Sequence, residues 1–330
     1  MKKIIFPLLA FIALPTTIQA NVDQKVAEMC MKATDFQSCV KSFSGQSERE
    51  SNITINTEYD KALTLLESGD TSGAIDNIDR YLKKNNQSKE AYLLRAVIYR
   101  WELDNTDNAI KDLNKAIEID DEYADAYAVR GVTLYWDLSN GPAAKKDLEK
   151  ALEISPNNPY IQYSYAEYLY DNSFNLADKN KKDLAINSTN EAIKYFRKSI
   201  SSQEKRNDNL VKRIFPFGIE YDSYAQIGGA KFDLYFWYKD TQQRQLAREA
   251  IKCSVLDYSK SIELAPSQEE TDKFEIERNF DFIDLGELHF WRGNAYSWFD
   301  RTGKKACKDW KISKKYGNKD AQKNAREWRC

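Results

Sequence analysis

Apolar and small residues recur three and four positions apart through most of the chain after residue 55, in stretches of about a dozen residues separated by polar turns. This spacing places apolar side chains on one face of an α-helix. Strand-like alternation of Val, Ile and Thr is almost absent, and the 330 residues include only 12 glycines and 7 prolines. The pattern therefore predicts an all-α protein built from pairs of helices joined by turns such as 103–106 and 138–141.

The helix pairs repeat with a period of 35 residues between positions 89 and 158. Residues of the same kind occupy matching places in two copies: Tyr92, Arg95, Ala96, Ala109, Leu113 and Ala116, then Tyr127, Arg130, Gly131, Ala144, Leu148 and Ala151. Small residues are needed where two helices cross at close range, because a larger side chain would force the helices apart. We assign that role to Ala96 or Gly131 in the first helix of a pair, and to Ala109 or Ala144 in the second.

This arrangement resembles the tetratricopeptide repeat, a helical hairpin with small residues at fixed places in both helices. The second copy carries the resemblance through Tyr127, Arg130, Gly131, Leu134, Ala144, Leu148, Ala151 and Pro156. The resemblance implies a right-handed superhelical solenoid of about six hairpins, closed by a C-terminal capping helix. It also implies a concave face formed by the first helix of each hairpin.

The register predicts five segments along the chain. These are a signal peptide (1–20), a short Cys-containing helical segment and tether (21–54), three regular units (55–158), two enlarged units with extended linkers (159–284), and a final unit with its capping helix (285–330). Enlargement is indicated by the spacing of the small crossing residues, which is 26 in the fourth and fifth units but 12 or 13 in the others. We expect lengthened helices there, for example 220–238 and 242–265, with an apolar loop at 214–218. Whether the enlargement serves function or only packing stays open.

The N-terminus has the layout of a secretory signal peptide. Lys2 and Lys3 precede an apolar run of eleven residues, and Ala20 closes a triplet typical of a cleavage site. The run is shorter than the roughly 20 residues that span a bilayer. We expect an exported, periplasmic or secreted protein beginning at Asn21, without stable membrane insertion after cleavage. The alternative is an uncleaved anchor helix.

The five cysteines fit an oxidising compartment. Cys30 with Cys39, and Cys307 with Cys330, are candidate disulfides, while Cys253 is left over and is interpreted as a packed thiol.

Charge and motifs argue against several classes of function. Removing residues 1–20 changes the formal charge from −2 to −4, without the clustered Lys and Arg of a nucleic-acid binder. The single histidine, His289, lies where the repeat places an aromatic packing residue. No nucleophile elbow, phosphate-binding glycine loop or metal-ligand spacing is present. We therefore expect no catalytic residues, no metal and no cofactor.

The groove positions of the family, carried over residue by residue, give a mainly aromatic face. They are Tyr59, Leu93, Arg100, Trp101, Tyr135, Trp136, Tyr160, Tyr163, Tyr170, Phe290 and Trp298, with Glu167 at a position of the same kind. The resemblance implies a non-catalytic scaffold that binds a peptide or partner domain there. Family members hold a terminal carboxylate of a peptide with a clamp of Lys and Asn side chains. Because the predicted face carries only one cation, Arg100, it does not match that clamp. Alternatives are stacking on a polysaccharide or small ligand, and simple packing of helix against helix.

Overall fold

A computed structural model describes residues 58–202, 218–272 and 283–330. Contacts divide the chain into two units, 1–60 and 61–330, and of the first unit only residues 58–60 are described. The predicted signal peptide, the Cys30–Cys39 pair and most of the apolar loop at 214–218 lie outside the described residues.

Thirteen α-helices of nine or more residues account for most of the described ranges, which contain no β-strand. In chain order they are α1 (Glu58–Glu67), α2 (Thr71–Lys84), α3 (Lys89–Trp101), α4 (Thr106–Ile119), α5 (Ala124–Trp136), α6 (Gly141–Ile154), α7 (Pro159–Asp178), α8 (Lys182–Ser201), α9 (Ile219–Asp240), α10 (Arg244–Leu264), α11 (Leu285–Ser297), α12 (Lys304–Lys315) and α13 (Lys319–Glu327). The predicted all-α fold is confirmed. The helices α7 to α10 have 20 to 22 residues, whereas the others have 9 to 14.

Helix starts and hairpin turns follow local chemistry. Side-chain oxygens of Asp70, Ser88, Asn105, Asn140, Asn158, Asp284 and Asn318 accept hydrogen bonds from backbone N–H groups in the first turn of the following helix. These N-caps satisfy donors that the helix itself cannot pair. Each hairpin turn also contains one residue with positive φ: Gly69, Asp104, Ser139, Asn180, Gln242 and Gly303. That left-handed residue reverses the chain direction at the end of the first helix.

The two helices of each hairpin cross at small residues, as the repeat pattern predicts. At Gly131 an added Cβ atom would lie 2.8 Å from Leu148 Cγ and 3.2 Å from the Ala144 carbonyl oxygen. In the fifth hairpin the Ser254 hydroxyl donates to the Gly228 carbonyl at 2.7 Å. The crossing therefore has no room for a larger side chain in the first helix.

An Arg–Asp ion pair ties the first helix to the second in three hairpins. Arg95 Nε donates to Asp112 at 2.7 Å, Arg130 Nε to Asp147 at 2.6 Å and Arg292 Nε to Asp309 at 2.8 Å. In all three pairs a second guanidinium nitrogen bonds the other carboxylate oxygen. The aspartate side chains are buried. The two parallel hydrogen bonds of each pair hold the two helices in a fixed relative position and also pair the two opposite charges.

The C-terminal end of the stack is closed by α13, which packs on α12. A disulfide joins Cys307 in α12 to Cys330, and the Trp310 and Trp328 rings pack edge to face with centroids 5.6 Å apart. His289 of α11 is buried, and its Nδ1 lies 2.9 Å from Asp309 Oδ1, so it belongs to the hairpin core. Cys253 is a free thiol on α10 that is only partly buried.

Candidate functional site

The first helices of successive hairpins form one continuous face. In the described residues α3 contacts α5, α5 contacts α7, α7 contacts α9 and α9 contacts α11, whereas successive second helices make no comparable set of contacts with one another. Closer approach of the first helices means that the stack of described hairpins curves toward them. We call the surface formed by α3, α5, α7, α9 and α11 the first-helix face.

A ladder of side-chain contacts crosses this face from each first helix to the next. Arg100 of α3 bonds Asp137 at the end of α5, with Nε and an oxygen 2.8 Å apart. The Tyr135 hydroxyl of α5 donates to Asp171 of α7. The Tyr170 hydroxyl of α7 then donates to Asp233 of α9. Asp171 of α7 and Asp233 of α9 are thus held by tyrosine hydroxyls instead of by Lys or Arg.

Glu167 of α7 lies at the centre of the face and is only partly exposed. The pKa of Glu167 is raised to about 8, mainly by burial and also by the neighbouring Asp222 carboxylate, while a hydrogen bond from Tyr163 and the charge of Arg100 oppose the shift. The structure therefore holds a carboxyl group that is poorly hydrated and close to a second acid.

Asp222, in the first turn of α9, is also only partly exposed. Burial raises the pKa of Asp222 to about 7. Its carboxylate has no hydrogen-bond or ion-pair partner among the residues that the structure describes. Asp233, further along α9, has its pKa raised to about 6 by burial, which the hydrogen bond from Tyr170 partly offsets. We call Glu167, Asp171, Asp222 and Asp233 the acidic cluster.

Exposed aromatic residues lie toward both ends of the first-helix face. Trp136 is 49% exposed, and its ring packs edge to face with Tyr135 at 5.1 Å between centroids. In the last two hairpins Trp298 is 46% exposed and packs edge to face on Phe236 at 5.2 Å. Trp291, also exposed, packs edge to face on Phe232, with centroids 6.1 Å apart.

The eleven predicted groove residues differ in exposure. Leu93, Tyr160 and Tyr163 are buried, so a surface-bound partner would not reach them in this conformation. Trp136 and Trp298 are exposed, and Tyr59, Arg100, Trp101, Tyr135, Tyr170 and Phe290 are partly exposed. The Arg100 guanidinium lies over the Trp101 ring at 4.2 Å from its centroid, and its charge is engaged by Asp137.

Sequence reasoning missed Asp171, Asp222 and Asp233. Groove positions were not assigned in the fifth unit, although its crossing residue Gly228 fixes the register. The signal was present in the spacing, since Asp171 and Asp233 each follow a crossing residue, Ala166 or Gly228, by five positions.

A second, open groove lies on the other side, where α4 and α6 diverge. It is lined by residues that include Ile110, Asn114, Arg130, Lys146 and Glu153. Arg130 is already engaged there by Asp147 and Asn114. Residues of α4, α5 and α6 line this groove, and the buried carboxylate in it, Asp147, is paired with Arg130.

The described residues include no group of three or more His, Cys, Asp or Glu side chains arranged to hold a metal ion. None of the helices in the described ranges is both long and apolar enough to cross a bilayer.

Comparison with known proteins agrees with this geometry. Two family models of the tetratricopeptide repeat match the sequence, one over residues 59–126 and the other over 124–158. The chain contains tetratricopeptide repeats over residues 59–158. A search of curated protein sequences finds no significant match.

Several solved structures are similar to this protein at low sequence identity. PilW, a widely conserved type IV pilus biogenesis factor, is 16% identical, with 83% of this chain and 99% of PilW covered at a TM-score of 0.51. YrrB, a tetratricopeptide-repeat protein with an unusual peptide-binding site, is 14% identical over 76% of this chain and 97% of YrrB, at a TM-score of 0.45. A tetratricopeptide-repeat protein from Parabacteroides merdae is 16% identical over 92% and 97% of the two chains, at 0.43.

Proposed function

We propose that this tetratricopeptide-repeat protein is a non-catalytic interaction scaffold that binds a peptide or partner domain on the first-helix face. The observation that carries the proposal is the combination of exposed tryptophans with recessed carboxylates on the inner side of the stack. Aromatic side chains bury a large area at low cost in conformational entropy, and recessed charged groups provide specificity.

Site-specific photocrosslinking tests this proposal. A photoreactive phenylalanine analogue replaces Trp136 on the first-helix face or Leu256, which is 68% exposed on the second helix α10. We expect a crosslinked protein partner in the exported fraction from the first position and not from the second. Crosslinking from Leu256 alone would place the binding surface on the second helices and contradict the proposal.

A second candidate function is stacking of a sugar ring on the aromatic residues of the last two hairpins. It is favoured by the exposure of Trp291 and Trp298 beside Phe232 and Phe236. Titration of tryptophan fluorescence with envelope polysaccharide, with Trp298→Ala as the control, tests it. If Trp298→Ala gives the same fluorescence response as wild type, the polysaccharide does not bind at this surface.

We also propose that the protein is exported. The N-terminal pattern supports this, and so does the Cys307–Cys330 disulfide, because disulfides persist in oxidising compartments. N-terminal sequencing of the protein recovered from the periplasm or medium should begin at Asn21. Recovery of an intact Met1 from the membrane fraction would favour an anchor helix instead.

A further inference from the structure

We infer that the C-terminal end of the repeat stack binds the surface of a bilayer that contains anionic phospholipids, through lysine and arginine side chains of α12 and α13. These helices are not part of the first-helix face, so the inference does not rest on the proposed scaffold function. Residues 304–330 contain ten of the chain's 49 Lys and Arg residues but three of its 51 Asp and Glu residues, so their formal charge is +7 and that of residues 1–303 is −9. The small net charge of the whole chain conceals this basic segment.

The cations follow the helix period on the outward sides of α12 and α13. In both helices exposed basic residues recur three or four positions apart, which places them on one side of the helix. They are Lys304, Lys308, Lys311 and Lys315 in α12, and Lys319, Lys323 and Arg326 in α13. The buried residues lie on the opposite sides: Ala306, Asp309, Trp310 and Ser313 in α12, and Ala321 in α13. We call the seven exposed cations the basic stripes.

None of the seven cations forms an ion pair with the part of the chain that the structure describes. Second helices earlier in the stack differ, because their lysines pair with a glutamate three or four residues further on: Lys115 with Glu118, Lys145 with Glu149, Lys150 with Glu153 and Lys260 with Glu263. Like charges at these spacings destabilise a helix. A cap that only had to be soluble would gain stability from alternating signs, so the uniform sign of the basic stripes points to an anionic partner.

Two exposed aromatic residues accompany the basic stripes. Tyr316, at the end of α12, is 41% exposed, and Trp328, just after α13, is 46% exposed. The Trp328 ring packs on Trp310, and an added Cβ at Gly303 would lie 3.1 Å from it, so the ring is held in place while part of it stays exposed. Tyr and Trp are favoured at the boundary between lipid headgroups and acyl chains.

The type of cation favours a bilayer over a nucleic acid. Six of the seven cations are lysines, which present a compact charge on a flexible stem, whereas arginine supplies the planar, two-pronged contacts typical of base and phosphate recognition. The stripe of α12 alone extends over 12 residues, or about 18 Å. Separate charges spread over two helices match a surface whose anionic headgroups can move toward them. Such binding would hold the protein at a membrane and leave the first-helix face accessible to its partner.

Co-sedimentation with lipid vesicles tests the inference on the protein as the cell matures it. The vesicles contain phosphatidylcholine alone, or phosphatidylcholine with about one third phosphatidylglycerol. Wild type is compared with two variants that each neutralise one stripe: Lys308→Gln/Lys311→Gln/Lys315→Gln and Lys319→Gln/Lys323→Gln/Arg326→Gln. A charge-matched control removes three lysines that are exposed on α4, α6 and α10: Lys111→Gln/Lys146→Gln/Lys252→Gln.

We expect wild type to bind the vesicles that contain phosphatidylglycerol and not those of phosphatidylcholine alone. Each cation near an anionic surface contributes about fivefold to affinity, so each stripe variant should bind about 100-fold more weakly, with the control within about threefold of wild type. Wild-type binding should disappear at about 1 M salt, where the Debye length falls to about 3 Å. This last measurement does not depend on whether the variants fold.

Several results would overturn the inference. These are absence of vesicle binding, equal binding to both kinds of vesicle, and an equal loss of binding in the control and the stripe variants. Binding of a labelled single-stranded oligonucleotide without binding of anionic vesicles would assign the basic stripes to a nucleic acid instead. Salt-sensitive self-association without vesicle binding would assign them to a second copy of the chain. Each of these results leaves the scaffold proposal standing, because photocrosslinking from Trp136 tests that proposal separately.

Discussion

Replacing Glu167 with glutamine tests whether the centre of the first-helix face is as poorly hydrated as its packing indicates. The pKa of this carboxyl group is raised from 4.5 to about 8, chiefly by burial. Between these values the folded protein keeps a proton that the unfolded chain has released. The free energy of unfolding therefore falls as pH rises through that window, and the stabilisation is fully present only below the unfolded pKa. Glutamine resembles the protonated acid and does not titrate, so the variant avoids this loss.

The size of the effect follows from the two pKa values. Each pH unit between them corresponds to about 1.4 kcal/mol, which sets an upper limit of about 5 kcal/mol above pH 8. The side chain keeps part of its contact with water, and the surroundings can relax around the charge. We therefore expect the two proteins to have similar free energies of unfolding at about pH 5. At about pH 9 the free energy of unfolding of Glu167→Gln should exceed that of wild type by about 2 kcal/mol.

Urea denaturation followed by circular dichroism measures this difference. Wild type, Glu167→Gln and the exposed control Glu153→Gln are compared at about pH 5, 7 and 9. Repeat arrays can unfold in stages, so the curves are fitted with a repeat-by-repeat model instead of a single transition. If the difference in the free energy of unfolding between Glu167→Gln and wild type stays constant with pH, Glu167 is not desolvated. That result would also refute the electrostatic interpretation of the acidic cluster.

Three further predictions concern the scaffold. Asp147→Ala leaves a partly buried guanidinium without its carboxylate and should lower the free energy of unfolding by about 3 kcal/mol in urea denaturation. Gly131→Val places atoms where even a Cβ would lie 2.8 Å from a side chain of α6, and should cost about 2 kcal/mol. Gly141→Ala, whose nearest neighbour would lie at 3.7 Å, should change stability by less than about 0.5 kcal/mol. Cys307→Ser/Cys330→Ser opens a loop with a sequence separation of 23 and should cost about 3 kcal/mol, measured as faster amide hydrogen exchange in α12 and α13.

Each of these predictions has a result that would contradict it. A wild-type urea midpoint for Asp147→Ala would mean that water replaces the ion pair at no cost. Equal stabilities for Gly131→Val and Gly141→Ala would mean that the crossing can open. Unchanged exchange after removal of the disulfide would mean that packing alone holds α13.

The fold could be predicted from the sequence because the repeat encodes its own contacts. Spacing between Gly131 and Ala144 predicts a close crossing, and the Cβ distances at Gly131 agree with it. The longer spacing from Gly228 to Ser254 predicts lengthened helices, and α9 and α10 have 22 and 21 residues. Such features depend on residues within one hairpin, whose separation along the chain fixes their separation in space.

The candidate site was less predictable because exposure depends on neighbouring hairpins. Tyr160 and Trp136 both occupy groove positions of the family, but Tyr160 is 2% exposed and Trp136 is 49% exposed. The difference arises because Tyr160 lies in the first turn of α7 and packs into the main core, whereas Trp136 is the last residue of its helix. The acidic cluster joins α7 to α9 across a linker, a contact that no spacing within one unit reveals.

One position relates the enlarged units to the acidic cluster. The fifth residue after the crossing residue is tryptophan in three units with short first helices, at Trp101, Trp136 and Trp298. In the two enlarged units it is aspartate, Asp171 and Asp233.

The exchange of tryptophan for aspartate at this position follows from the length of the first helix. In a 13-residue first helix this position lies at or just after the last turn, where a large ring can spread over the hairpin end. In α7 and α9 the helix continues for about two more turns, so the same position lies in the helix interior and faces the preceding first helix. A tyrosine from the preceding helix reaches it in both cases. Lengthening of the two middle units therefore accompanies the replacement of a tryptophan at the hairpin end by an aspartate that a tyrosine of the preceding first helix holds.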